Sequence, residues 1–151
     1  VYDEILLDTI AGEHTALYRS MYDEGIINST FVGEVMAGRD FAVTLFEGES
    51  RDPDKVYEAL CGEIRRMQRE GIDRDAFERS RRAIYGRYLG MYARVDSVAS
   101  LMLTTQFGGA DMYTVLEAAA GATYEMLTAR LLEAFDPERS ALSVVTAPKE
   151  A

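Results

Sequence analysis

The residues of this chain that could carry chemistry are few. There is one histidine, His14, and one cysteine, Cys61. A nucleophilic thiol wants an imidazole beside it to take its proton, and His14 is the sole candidate. Cys61 sits beside the apolar positions of a helical pattern, where a small core residue is the expectation. One cysteine excludes an internal disulfide and a thiolate metal cluster, and it fits a reducing, cytoplasmic setting. A catalytic zinc needs about three protein ligands; one histidine with scattered carboxylates does not supply them, so no metal site is expected in this chain. No constellation supports independent carboxylate chemistry either. His14 shares the apolar stripe of its helix and reads as a core or interface residue, the alternative being contact with a substrate or a partner domain. Arg81 lies between Phe77 and Ile84 on another apolar stripe. It is either buried with a partner or packs its stem while its head reaches water. Tyr85, Tyr88 and Tyr92 read as core packing, with an oligomer contact second, and the seven methionines read as core filler.

The elements that must position these residues follow from periodicity and capping. Leu6, Ile10, Leu17 and Met21 predict a helix from about Tyr2 to Glu24, stopped by Gly25 in the left-handed conformation. Gly12 inside it signals close packing or a kink. Strands are expected over Thr30–Ala37 and Phe41–Glu47, joined as a hairpin through Gly38-Arg39-Asp40. Asp52 as N-cap and Pro53 at the first helical position start a second helix, lined by Val56, Leu60, Ile64 and Met67 and ended by Gly71. Asp73 caps a third, with Ile72 stapling onto Phe77. Its register runs almost to Gly108-Gly109, giving roughly 30 residues or ~45 Å, with Gly86 and Gly90 marking a bend or a tight crossing. Asp111 opens a helix closed by Gly121, Thr123 caps another carrying Leu127, Leu131 and Phe135, and Asp136-Pro137-Glu138-Arg139 breaks it. Ala141–Thr146 reads as a last strand.

The fold class is therefore α+β: a small antiparallel sheet, the hairpin plus the C-terminal strand, covered by helices. With 151 residues, one domain is expected, spanning residues 1–151. Three strands are few for so much helix, and they are too apolar to stay uncovered. Partner strands are expected upstream in a longer chain or on another molecule, with self-association through an open sheet edge. The net charge of −10 argues against nucleic acid. It reads as acidic solubility, with attraction of basic peptides as the alternative. The clustered arginines, Arg65, Arg66, Arg69, Arg74, Arg79, Arg81 and Arg82, read mostly as solvated helix faces. No apolar run suits a membrane span and no signal peptide is visible. The chain opens at Val1, so it is expected to be processed or cut from a longer polypeptide.

The order of segments resembles the back part of a domain of the insulinase-like (pitrilysin) zinc peptidases. An early helix carries Ala11-Gly12-Glu13-His14-Thr15-Ala16-Leu17-Tyr18, followed by Met21-Tyr22-Asp23-Glu24-Gly25-Ile26-Ile27. A strand then runs into Phe46-Glu47-Gly48-Glu49-Ser50-Arg51-Asp52-Pro53 before a helix. A Glu70-Gly71-Ile72 hinge leads to Phe77-Glu78-Arg79-Ser80-Arg81-Arg82-Ala83-Ile84-Tyr85-Gly86. The resemblance covers nearly the whole chain, and it rests on order and spacing together.

The resemblance implies a metallohydrolase-like domain lacking its opening strands. The family's catalytic His-x-x-Glu-His belongs to a different, N-terminal domain. Ile10-Ala11-Gly12-Glu13-His14 has Ile10 in the first His position, and its surroundings match the family's other helix. What is implied is a non-catalytic, chamber-forming and peptide-binding C-terminal domain of a zinc metalloendopeptidase, with zinc held in the parent's catalytic domain. Its partners would be that N-terminal domain and an extended peptide, with no nucleic acid and no membrane. An Arg and a Tyr often hold substrate on the family's loop after the first helix; Tyr22 and Asn28 stand at the matching places here. Together with Arg81, which would organise the chamber, they are the candidate substrate contacts. The alternative is a catalytically inactive scaffold or interaction domain of the same fold.

Overall fold

The computed structural model describes residues 1–38, 40–109 and 111–146. In chain order the elements are α1 (Tyr2–Ala11), α2 (Ala16–Asp23), β1 (Val32–Ala37), β2 (Ala42–Glu47), α3 (Pro53–Glu70), α4 (Arg74–Tyr92), α5 (Val95–Phe107), α6 (Met112–Gly121) and α7 (Tyr124–Ala134). A single 3-10 turn, Pro137–Arg139, follows. The class is α+β, as expected.

α1 is the axis of the molecule. Ile5, Leu6, Leu7 and Ile10 are all essentially buried and form a broad apolar face, while Asp3, Glu4 and Asp8 occupy the remaining side. It packs against α4, the hairpin, α7, α2 and α3. Each such side chain contributes roughly 1.5–3 kcal/mol on burial. Even its buried Thr9 is satisfied locally, donating from Oγ1 to the Ile5 carbonyl at 2.6 Å.

The single helix expected over Tyr2–Glu24 is in fact two. Gly12 leaves α1 with extended backbone (φ −68°, ψ 158°), and Thr15 starts α2 by accepting from the Tyr18 amide. A Cβ on Gly12 would lie 2.5 Å from the Asp8 carbonyl oxygen, so glycine is what lets the chain turn off tightly here. His14 consequently sits in the break, not on a helical stripe.

The helix expected to run from Arg74 almost to Gly108 is also two, α4 and α5. The chain passes through Gly86 and Gly90 without interruption, and neither has any atom within 4 Å of an added Cβ; they are not tight crossings. The break comes at Ala93-Arg94, where Arg94 is extended (φ −125°, ψ 124°). The Ala93 and Arg94 amides bond back three residues to Gly90 and Met91, tightening the last turn of α4. Tyr92 fixes the geometry from outside: its hydroxyl donates to the Met112 carbonyl and its ring lies 6.2 Å from that of Tyr113.

β1 and β2 pair antiparallel, with Val32 opposite Glu47 and Ala37 opposite Ala42. Both strands start one or two residues later than expected, and the connection at Arg39 lies outside the described residues. An isolated bridge, Ile27 to Ser50, extends the pairing past the base of the hairpin. Gly48, at φ +154°, brings the chain so near Phe31 that a Cβ would fall 2.6 Å from the Phe31 Cα.

The expected C-terminal strand is a correction. Residues 141–146 are exposed and join no ladder, so the sheet has two strands among the described residues. A strand needs a hydrogen-bonded neighbour to exist as one, and neither β1 nor β2 pairs with this segment. Among the described residues the side-chain hydrogen bonds reach as far as Ser140, whose hydroxyl lies 2.7 Å from that of Tyr57. Among the described residues no third strand pairs with the hairpin, and Val32, Met36 and Val43 are roughly half exposed. No helix among the described residues is long and apolar enough to cross a membrane.

Candidate functional site

The last turn of α2 and the loop after it carry the first two candidate contacts, Tyr22 and Asn28. Gly25, at φ +68°, turns the chain out of α2, and Asn28 follows in the loop. Tyr22 is half exposed, and its ring stacks on Tyr18 at 5.9 Å and 13°. Tyr18 packs at 6.1 Å on Phe31, and Phe31 stacks on Phe46 at 5.9 Å and 5°. An aromatic file thus runs from the surface of α2 into β2.

Asn28 is engaged in holding the base of the hairpin. Its side-chain oxygen accepts from the Thr30 amide at 2.9 Å and from the Thr30 hydroxyl at 2.6 Å. Its amide nitrogen donates to Glu49 at 2.7 Å, and the Glu49 amide returns a bond to the Thr30 oxygen at 2.9 Å. This clamp was missed in the sequence. Its one local signal is an Asn with a Thr two residues on, the spacing of an Asx turn.

Arg81, on α4, lies elsewhere. It donates to Glu78 at 2.8 Å and to the Ala120 carbonyl, on α6, at 3.1 Å. Its Nε is buried without a partner. The hydrogen bond from Arg81, with the charge of Arg81 and Arg82, holds the Glu78 carboxyl below its ordinary range against a smaller opposing effect of burial. Arg81 adjoins an open groove between α4, the end of α6 and the start of α7, with Phe77, Thr123 and Tyr124 among its lining residues. Arg74 flanks the groove, its guanidinium 4.0 Å above the Tyr124 ring. Among the described residues no hydrogen bond, ion pair or ring contact joins Tyr22, Asn28 and Arg81: Tyr22 stacks on Tyr18, Asn28 binds Thr30 and Glu49, and Arg81 binds Glu78 and Ala120.

His14 meets two polar groups that sequence spacing does not reveal. Its Nδ1 is 3.7 Å from Asp8 on α1, and its Nε2 is 3.4 Å from the Ser80 hydroxyl on α4. The residue types are those of a serine hydrolase, but the arrangement is not. Ser80 is 0% exposed, so no substrate reaches its oxygen, and the His–Asp separation exceeds a hydrogen bond. The group ties the α1–α2 break to α4.

The other flagged side chains have structural partners. Cys61 is buried, its sulfur 4.0 Å from the Ser140 hydroxyl. Tyr88 donates to the Glu4 carboxylate at 2.8 Å. Burial first, and then the Glu4 charge, raise its pKa well above the ordinary tyrosine value. Tyr85 lines a smaller depression with Arg81, Arg82 and Ala120. Among the described residues no three His, Cys, Asp or Glu side chains converge as a metal site would require, so the residues present do not fit a zinc ion.

No family model matches the chain. It is 27% identical over 116 residues to an uncharacterized zinc protease, YmfH, of Bacillus subtilis (strain 168), a match spanning 75% of this chain and 27% of that one. Among solved structures it is similar to a putative M16-like peptidase from Alicyclobacillus acidocaldarius. That likeness has a TM-score of 0.82 and 28% identity, over 90% of this chain and 33% of the other. The chain thus spans about a third or less of these relatives' length. Both likenesses point the same way, and they support a family relationship to the insulinase-like, M16-type zinc peptidases over the part that is covered.

Proposed function

We propose that the chain is a non-catalytic, chamber-forming and peptide-binding domain of a zinc metallopeptidase. One observation carries the reading. The chain overlays a third of an M16-like peptidase yet contains one histidine, one too few for a His-x-x-Glu-His metal motif. Hydrolysis is therefore assigned to another part of the parent polypeptide, an N-terminal catalytic domain, where zinc is held.

In this reading the chain supplies one wall of an enclosure and a surface for an extended peptide. The open edges of the β1–β2 hairpin suit a peptide that adds as a strand, main chain to main chain. Tyr22, at the outer end of the aromatic file, offers a flat face and a hydroxyl beside the hairpin's base. Asn28 acts mainly by fixing that base.

The test is reconstitution. The catalytic part of the parent is prepared without these residues, and this chain is then added back. The expected result is stoichiometric zinc in the catalytic part, peptide hydrolysis reduced at least tenfold, and recovery on adding the chain. Undiminished hydrolysis without the chain would overturn the reading. A parent with no His-x-x-Glu-His at all would favour the inactive scaffold instead.

A further inference from the structure

Asn28 is the single asparagine of the chain, and Ser29 follows it. Both are exposed. They open a β-turn, Asn28-Ser29-Thr30-Phe31, closed by the Phe31 amide donating to the Asn28 carbonyl at 3.1 Å. Asparagine suits the first position of such a turn. An exposed side-chain amide there is also open to attack by its own backbone. Among the described residues the Ser29 amide donates to no carbonyl, and the small serine side chain leaves the approach to the Asn28 Cγ clear.

The step balances with water alone. The Ser29 nitrogen gives its proton to solvent base and bonds to the Asn28 Cγ. The Cγ–Nδ2 bond breaks, and the nitrogen leaves as ammonia. Water then opens the cyclic imide. Breaking its Cγ–N bond yields aspartate, and breaking its main-chain side yields isoaspartate.

The surroundings give this small change its effect. The clamp at the hairpin base uses Asn28 as acceptor and donor at once. Its oxygen accepts from the Thr30 amide and hydroxyl, and its nitrogen donates to Glu49 at 2.7 Å. A carboxylate keeps the first role and loses the second. Oxygen then faces oxygen, and two negative charges meet where a hydrogen bond was. Lys55 is held by Glu24 at 2.7 Å and does not neutralise the pair. The turn keeps its bonds to Thr30, while its tie to Glu49, at the exit of β2, is broken.

We propose that Asn28 is a site of hydrolytic deamidation, and that Glu49 converts this modification into release of the hairpin base. The release is one-way, because the product cannot donate to Glu49 and repels it.

The full-length protein is incubated at mildly alkaline pH, folded and in urea. Mass spectrometry follows the tryptic peptide spanning residues 20–39, which contains no other asparagine and no glutamine. Deamidation is expected in both samples, several-fold slower in the folded one because the clamp has to open first. Hydrogen exchange reads the consequence. Asn28→Asp is expected to quicken amide exchange in β1 and β2 several-fold. Adding Glu49→Gln is expected to restore the original rate, since the glutamine amide donates to the new carboxylate. The same change added to Asn28→Ala is expected to restore nothing. A folded protein that stays unconverted while the unfolded one converts fully would overturn the proposal. So would an Asn28→Asp protein that exchanges like the original, or one that Glu49→Gln rescues no better than it rescues Asn28→Ala.

Discussion

Arg130 grips Asp3 with two parallel hydrogen bonds, Nε to Oδ1 at 2.7 Å and Nη2 to Oδ2 at 2.9 Å. They join the last α-helix to the first. Asp3 is 14% exposed, so its carboxylate has little water to fall back on. Removing the guanidinium leaves that charge half stranded. Arg130→Ala is expected to lower unfolding free energy by about 2 kcal/mol. Arg130→Lys should recover less than half of this, because an ammonium cannot reproduce the planar fork. Urea denaturation of the three proteins measures it; a lysine variant as stable as the parent would show that charge alone suffices.

Tyr88 sets an alkaline limit. Its native pKa is raised by burial and by Glu4, and those of Tyr18 and Tyr92 are raised too, chiefly by burial. The folded protein thus holds these protons more tightly than the unfolded chain does. The resulting stability is fully present below the unfolded value of about 10 and is lost as pH climbs toward the native values. Melting temperature is expected to fall above that pH. Tyr88→Phe should make the fall shallower while costing about 1–2 kcal/mol at neutral pH, since Glu4 loses its donor. An alkaline limb of unchanged steepness in the variant would count against this assignment.

Two glycines should answer in opposite directions to the same substitution. Gly86 lies inside α4 with open space where a Cβ would go. Gly86→Ala is expected to stabilise by about 0.5–1 kcal/mol through helix propensity. Gly48 lies at positive φ against the Phe31 backbone. Gly48→Ala should destabilise by about 2–3 kcal/mol, combining backbone strain with a clash. Thermal melts of both variants decide it, and the signs matter more than the sizes.

Asn28→Ala removes the centre of the clamp between Thr30 and Glu49. The bonds are exposed, so a loss of about 1 kcal/mol is expected in global stability. The sharper effect is local. Amide exchange in β1 and β2 should quicken several-fold while α3 and α4 keep their protection. Uniform acceleration throughout the chain would mean that the hairpin base is not an independent unit.

Helix starts were the most legible feature of this sequence. Asp52, Asp73, Asp111 and Thr123 were each expected as N-caps, and each accepts from an amide two or three residues on. A cap is read from adjacent residues, and its hydrogen bond closes within one turn. Breaks inside apolar patterns were harder to see. The stripe through Leu6, Ile10, Leu17 and Met21 keeps its period across Gly12, although the chain turns there against Asp8. The break at Ala93-Arg94 has no glycine or proline; it follows from where Tyr92 is held by Met112. The unpaired segment 141–146 shows the converse. Its residues have strand character, but pairing depends on a neighbour that the segment itself does not contain. Of the candidate site residues, sequence places each on its element. It says nothing of the distance between the loop after α2 and the α4–α6 seam, nor of the Asp8–His14–Ser80 contact, which depends on how α1 crosses α4.

Cys61 lies 6% exposed on α3, where its sulfur faces Ser140, and the chain has no other thiol. A disulfide reagent added to the folded protein would have to wait for that seam to part. Its rate of colour development is then a stopwatch for the opening of α3 against the tail, read without any label or engineered probe.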